Sequence, residues 1–503
     1  MSYSPELKSC FNDTKMRSST ISTQNGMCSF CSADCLGTCE IGLSAIRGAQ
    51  SVYPTNTGDN QVASEKNYPF DYSHFNINGR VFGAMGVKED NNETTIFNVN
   101  LEQTIGSTNP VKMALPIILP ALLKMNWPDY FSGAAMAGIS CVIGEDSYLK
   151  DPKLKMENNK VVEFPMLETI VKSFNDYYRG YGQIILQVNT ENDVQGLIEY
   201  ATKVNLIEAI EFKFGQSAKG TQPVVRLANY EAACAKKALG GLVHPDPDDE
   251  KVKQLMAEGI TPNFYNYGRC PMWDEEFFKK RIAKVRALGI KNIYFKMAGY
   301  DYEDIRRVIK IAIENEVDFI TFDGAGGGSG YSPCKMMNEW SYPPIDLEKI
   351  VHTIMSEEDT KNKKMPAIAI TGGFSMEDHV FKALALGAPY INFVGICRAT
   401  MAAANSAKNI GELIEKGTIP TNLQQYGSSL AEIFTDLADL RVLYGKKADA
   451  FPPGAIGVYS YLNRLKFGLQ HFAALNRKFD ISYLDQSDLI PLTKQARKLL
   501  KKW

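Results

Sequence analysis

Between residues 98 and 400, apolar positions alternate between two patterns: short runs that are apolar almost throughout, and longer stretches with one apolar residue every three or four. "QIILQVN" (183–189) is a run of the first kind and reads as a buried strand. Thr190, with Asp193 three residues on, has the form of a capping box, and Val194, Leu197, Ile198 and Ala201 follow at helical spacing. "AIEFKFG" (209–215) is the next strand. "IYFKM" (293–297) leads to a helix carrying Ile305, Val308, Ile309, Ala312 and Ile313, and then to the strand "FITF" (319–322). "AIAITGG" (367–373) leads through Ser375 and Asp378 to a helix ending at Gly387, and then to "YINFVG" (390–395). Strands apolar on both faces, alternating with helices, imply a parallel sheet covered on both sides. Roughly 300 residues of such units predict an α/β fold of the (β/α)8 barrel type. Residues 1–97 read as a loop-rich extension containing a cysteine patch, 98–410 as the barrel, and 411–503 as a helical extension broken by "FPPG" (451–454).

Composition adds limits more than direction. The chain has 503 residues and a formal net charge of -2, which points to neither a nucleic-acid nor an acidic-membrane partner. The start "MSYSPELKSC" lacks an apolar segment, and the run "MALPIILPALL" (113–123) is too short to span a bilayer, so a cytoplasmic location is expected. In that compartment the ten cysteines are read first as metal or redox ligands and only then as disulfides.

In a barrel of this type the chemistry lies at the carboxyl ends of the strands. Four marked segments fall there: "KFGQSAKGTQP" (213–223), "FKMAG" (295–299), "DGAGGGSGYSP" (323–333) and "TGGFS" (371–375). Gly372 and Gly373 precede a helix N-terminus, an arrangement whose backbone N–H groups favour a phosphate. Lys296 ends an apolar strand and needs an electron-rich partner. A phosphate or a flavin's pyrimidine edge would serve, and so would a carboxylate on a neighbouring strand.

These residues carry a resemblance. "EFKFGQSAKG" (211–220), "DGAGGGSGYSP" and "AITGGFSMEDHVFKALALGA" resemble three successive motifs of the FMN-binding synthase domain of glutamate synthases. Glu211, Lys213, Gln216, Ala218 and Lys219 match the first; Gly327, Gly328, Ser329, Gly330, Ser332 and Pro333 match the second. "NPVKMALPIILPAL" (109–122) is similar to the segment entering the first barrel strand, and "GEDS" (144–147) to the family's G-E-G-G. The resemblance implies FMN contacts from Lys296, Gly327, Gly328, Ser329, Gly372, Gly373 and Gly395. It also implies that Gln216, Lys219 and Glu145 bind and orient a small carboxylate substrate (a 2-oxo, imino or amino acid) beside the flavin's N5. Two departures stand out. Ser2 occupies the place of the cysteine that opens the family's amidotransferase domain, so glutamine hydrolysis is not expected. "TPNFYNYGRC" (261–270) replaces a P-P-P-H-H segment, which puts 2-oxoglutarate in doubt more than FMN.

Cys28, Cys31, Cys35 and Cys39 lie within twelve residues. Thiolate sets of this kind hold iron–sulfur or zinc, and the compact spacing favours a [4Fe–4S] cluster. In glutamate synthases the cluster cysteines follow the core strands of the barrel; here that region offers only Cys397. The N-terminal set therefore reads as a relocated electron relay. The leading expectation is an FMN- and iron–sulfur-dependent oxidoreductase that exchanges electrons with a carrier such as ferredoxin and leaves room for a homo-oligomer. Two other readings stand beside it: an ammonia- or amine-dependent glutamate or N-alkylglutamate synthase, and a zinc-stabilised, non-catalytic barrel subunit. No G-x-G-x-x-G follows any strand, so nicotinamide binding has no support.

Overall fold

The computed structural model describes residues 45–48, 68–123, 126–145, 147–217, 224–325, 327, 336–360 and 364–500. Eight parallel strands close into a barrel: β1 (Ile117–Leu122), β2 (Cys141–Ile143), β3 (Ile184–Val188), β4 (Ala209–Lys213), β5 (Asn292–Ala298), β6 (Phe319–Asp323), β7 (Ala367–Thr371) and β8 (Ile391–Gly395). Each strand pairs with the next, and β8 returns to β1 through Val394 opposite Ile117. The expected (β/α)8 architecture is therefore the observed one, with "AIAIT" and "INFVG" as strands seven and eight. The helices on the outside are α1 (Trp127–Ala137), α2 (Met166–Asn175), α3 (Leu197–Lys203), α4 (Glu275–Ala287), α5 (Tyr302–Glu314), α6 (Pro344–Asp359), α7 (Glu377–Gly387) and α8 (Arg398–Glu415).

Two helix starts differ from the sequence reading. After β3 the cap is Asn189, whose side-chain oxygen accepts from the Asn192 N–H at 3.0 Å, while the Asn192 side chain accepts from the Asn189 N–H at 3.0 Å. Asn caps at least as well as Thr, and Asp193 is taken up by Arg281, 2.6 Å away. At α7 the N-cap is Met376, with no side-chain cap bond, and the Ser375 N–H donates to His379 Nδ1 at 3.3 Å.

A larger difference lies between β4 and β5. There the chain builds a three-stranded antiparallel sheet, with Tyr265–Tyr267 between Val224–Arg226 and Leu242–His244. Ala233, Val252 and Phe264 form its own small core. The insertion leaves the carboxyl end of β4, on the face where the candidate site lies, and its central strand is formed by Tyr265–Tyr267 of the altered 261–270 segment.

C-terminal to the barrel, α9 (Pro453–Leu475) starts with proline in its first turn, where no N–H is needed, so the "FPPG" break is a helix start. Gly457 lets α9 approach α8, because a Cβ there would strike Ala407. Phe75–Ile77 pairs antiparallel with Leu489–Pro491. Nearby, Tyr72 packs on Phe374 and its hydroxyl donates to Glu348 Oε2 at 2.5 Å.

Glu348 is fully buried, and burial pushes its carboxyl well above the usual range despite the Tyr72 bond. The folded state keeps a proton that the unfolded chain releases above about pH 4.3. Stability is therefore lost as pH rises from there toward the folded pKa. Glu348→Gln removes this dependence, so its melting temperature gains on wild type steadily from pH 5 to pH 8. Parallel pH profiles would show that Glu348 does not hold the proton.

Candidate active site

Charged and amide side chains occur inside strands that are otherwise apolar, and alternation along a strand turns them into the barrel. Lys296 on β5 stands level with Lys213 on β4 and Thr321 on β6. Its ammonium lies 3.3 Å from Asp323 Oδ2, with both side chains 4% exposed. Asp323 Oδ1 accepts from Thr371 Oγ1 at 2.6 Å, which joins β5, β6 and β7 across the mouth of the barrel. Burial opposes charge on Lys296, but Asp323 and Glu211 outweigh it and raise its pKa. Of the two partners considered for Lys296 from sequence, the neighbouring carboxylate is present, and the ion pair favours the charged form of the lysine.

A second group is centred on Lys213, whose ammonium donates to Glu145 Oε1 and, at 3.1 Å, to Gln216 Oε1. Lys213 is 7% exposed and Glu145 12%. The Tyr300 hydroxyl donates to the Gln216 carbonyl at 3.1 Å and fixes the turn after β4. Two of the three residues expected to hold substrate thus share one cation. The third, Lys219, lies outside the described residues, as do Gly328 and Ser329.

The glycines after β7 have the geometry of a cradle. Gly372 (φ +127°) and Gly373 (φ +93°) adopt backbone that L side chains rarely take. A Cβ on Gly372 would meet Pro344 at 2.7 Å, whereas one on Gly373 would meet nothing within 4 Å. The backbone at Gly373 is therefore open to a ligand beside the start of α7. Gly327 donates its N–H to the Gly324 carbonyl at 3.1 Å and closes a tight turn after β6. Gly395 has a packing reason, since a Cβ there would lie 2.5 Å from Thr371 Cγ2.

Cys28, Cys31, Cys35 and Cys39 lie outside the described residues, and among the described residues no group of three or more His, Cys, Asp or Glu could hold a metal ion. Burial pushes the Cys397 thiol up, against the pull of nearby Lys296. Arg269, at the edge of the replaced segment, is bound to Glu191: its N–H donates to Oε1 at 2.8 Å and its guanidinium to Oε2. Sequence reasoning missed Asp323 as the partner of Lys296, Lys213 as the organiser of Glu145 and Gln216, and Glu211 with Gln187 below them. A signal was present: Gln187, Glu211, Lys213, Lys296 and Asp323 are the charged and long amide side chains inside strands that are otherwise mostly apolar.

Residues 270–409 match the model of a conserved region in glutamate synthase, a span that includes the second and third motifs quoted above. Over 216 residues the chain is 25% identical to the glutamate synthase large subunit-like protein YerD of Bacillus subtilis (strain 168). That match covers 41% of this chain and 37% of the relative, so it spans little more than a third of the relative's length. Among solved structures, a flavocytochrome b2 variant with sulfite bound is 13% identical, with a TM-score of 0.46 over 84% of this chain and 77% of that one. The lactate oxidase of Pediococcus acidilactici is 14% identical, with a TM-score of 0.44 over 84% of each chain.

Proposed function

We propose that this chain, which carries the conserved glutamate synthase region on a (β/α)8 barrel, is an FMN-dependent oxidoreductase acting on a small carboxylate: a 2-oxo, imino or amino acid. The observation that carries the reading is the pairing of the ion-paired Lys296 at the barrel mouth with an open glycine backbone at Gly373, two strands away. A flavin mononucleotide has one electron-rich ring edge and one phosphate, and this site offers a donor for each. Bound there, it would supply a two-electron acceptor or donor at N5. Lys296 would hold the pyrimidine edge and Gly372 and Gly373 the phosphate, with Gly327, Gly328, Ser329 and Gly395 shaping the wall. Lys219 would anchor the substrate carboxylate, while Gln216 and Glu145, both held by Lys213, would orient the reacting carbon. Cys28, Cys31, Cys35 and Cys39 would bind a [4Fe–4S] cluster that passes electrons to a carrier such as ferredoxin.

The family match favours a second reading, ammonia- or amine-dependent glutamate or N-alkylglutamate synthesis at the same site. A screen of 2-oxo and amino acids, read as flavin reduction or reoxidation, separates the two. Purified without oxygen, the protein is expected to be brown-yellow, with about one FMN and about four irons per chain. Cys35→Ser is expected to lose iron and keep FMN. A colourless preparation containing zinc overturns the redox reading, and joint loss of iron and FMN overturns the relay.

A further inference from the structure

Beneath the Lys296–Asp323 pair lies a carboxyl group to which the proposed chemistry assigns no task. Glu211 on β4 is 1% exposed, stands level with Gln187 and Tyr294, and accepts from Gln187 Nε2 at 2.5 Å. The other Gln187 side-chain atom, assigned as Oε1, is buried without a partner. A separation of 2.5 Å is short for an amide N–H on a carboxylate but ordinary for a carboxylic O–H on an amide oxygen. With the Gln187 amide turned over, its oxygen faces a protonated Glu211 at the same separation.

Charge accounting agrees. The groups that bear on Glu211 are Lys213 on its own strand, Lys296 and Tyr294 on β5, and Asp323 on β6. Lys213 is paired with Glu145 and Lys296 with Asp323, which leaves Glu211 as the unmatched carboxyl. Burial raises its pKa to about 7, against the opposing pull of Lys296 and the Gln187 bond. It is thus poised where a change in the charge shared with Lys296 moves a proton.

We infer that Glu211 is a positioning residue that takes up a proton when negative charge arrives at Lys296, so that reduction of the bound flavin consumes two protons per two electrons. The inference rests on the FMN reading. The reductant gives the flavin two electrons and N5 one proton, and the pyrimidine edge gains one negative charge. That charge draws on Lys296, leaves less cation for Glu211, and the Glu211 carboxylate takes a second proton from solvent. Overall charge at the site is then unchanged by reduction. Lys213, two residues nearer the open end on the same face of β4, is paired with Glu145, and these two side chains are 7% and 12% exposed.

The test is the dependence of the flavin midpoint potential on pH between 7 and 8.5, in the holoprotein and in Glu211→Gln. The wild-type slope is expected to be twice that of the variant, two protons against one. Equal slopes overturn the inference while leaving FMN binding intact. Should Glu211→Gln not fold, Gln187→Leu removes the hydrogen-bond partner of the Glu211 carboxyl, and the steep segment is displaced along the pH axis; an unmoved segment overturns the inference. If no flavin is retained, the FMN reading fails separately. The infrared carbonyl band of the flavin-free protein then decides whether Glu211 exchanges a proton: a wild-type band that disappears near pH 7 and is missing from Glu211→Gln supports it, and no such band overturns it.

Discussion

Lys296→Met is expected to strip the protein of flavin and lower its melting temperature by several degrees. The methionine fills much of the lysine's volume, so the effect comes from charge. Asp323, 4% exposed, would lose its cation and retain only the Thr371 hydroxyl. Removing one partner of a buried pair costs about 3–5 kcal/mol, because the remaining charge stays desolvated. The double variant Lys296→Met with Asp323→Asn removes both charges and is expected to recover most of the lost stability without recovering flavin. That separation distinguishes a cofactor ligand from a structural ion pair. A single variant that melts like wild type and retains FMN would show that Lys296 contributes neither contact.

Lys213→Met is expected to keep flavin and lose the substrate. Lys213 Nζ is bonded to both Glu145 and Gln216, and its removal releases both at once. Losing a buried, charge-assisted contact costs about 2–5 kcal/mol, and every 1.4 kcal/mol is tenfold. Substrate-driven flavin reduction should therefore fall at least ~30-fold while the FMN content per chain stays normal. Adding Glu145→Gln should remove the charge that the Lys213 cation no longer balances and raise the melting temperature without restoring the reaction. Flavin reduction within threefold of wild type would mean that Glu145 and Gln216 do not need Lys213, and that substrate binds elsewhere at the barrel mouth.

The barrel was legible because its strands bury both faces: β3, β4 and β6 contain no exposed position, and a continuous apolar run of that length bounded by glycine or asparagine fits little besides a buried strand. The helical turn after β3 was misplaced by one residue because Asn189 and Thr190 are both good caps, and the choice depends on Arg281 claiming Asp193 from about 90 positions away. The insertion between β4 and β5 was missed for a related reason. Its strands are three residues long and half-exposed, so they show no period, and they hold together through pairing between distant segments. Glu145 and Gln216 could be proposed as site residues from motif position, and Lys296 from its place at the end of an apolar strand. That one lysine serves both Glu145 and Gln216, and that Asp323 answers Lys296, depends on strand register, which no single segment encodes.

The antiparallel pairing of Phe75–Ile77 with Leu489–Pro491 joins segments about 400 residues apart along the chain. Such a contact gains nothing until the barrel between them has formed, so it belongs to the last stage of folding. Interactions absent from the transition state act on the rate of leaving the native state and hardly at all on the rate of reaching it. The strap therefore works as a kinetic clasp: weakening it would shorten the lifetime of the folded protein at elevated temperature while refolding from denaturant kept its pace.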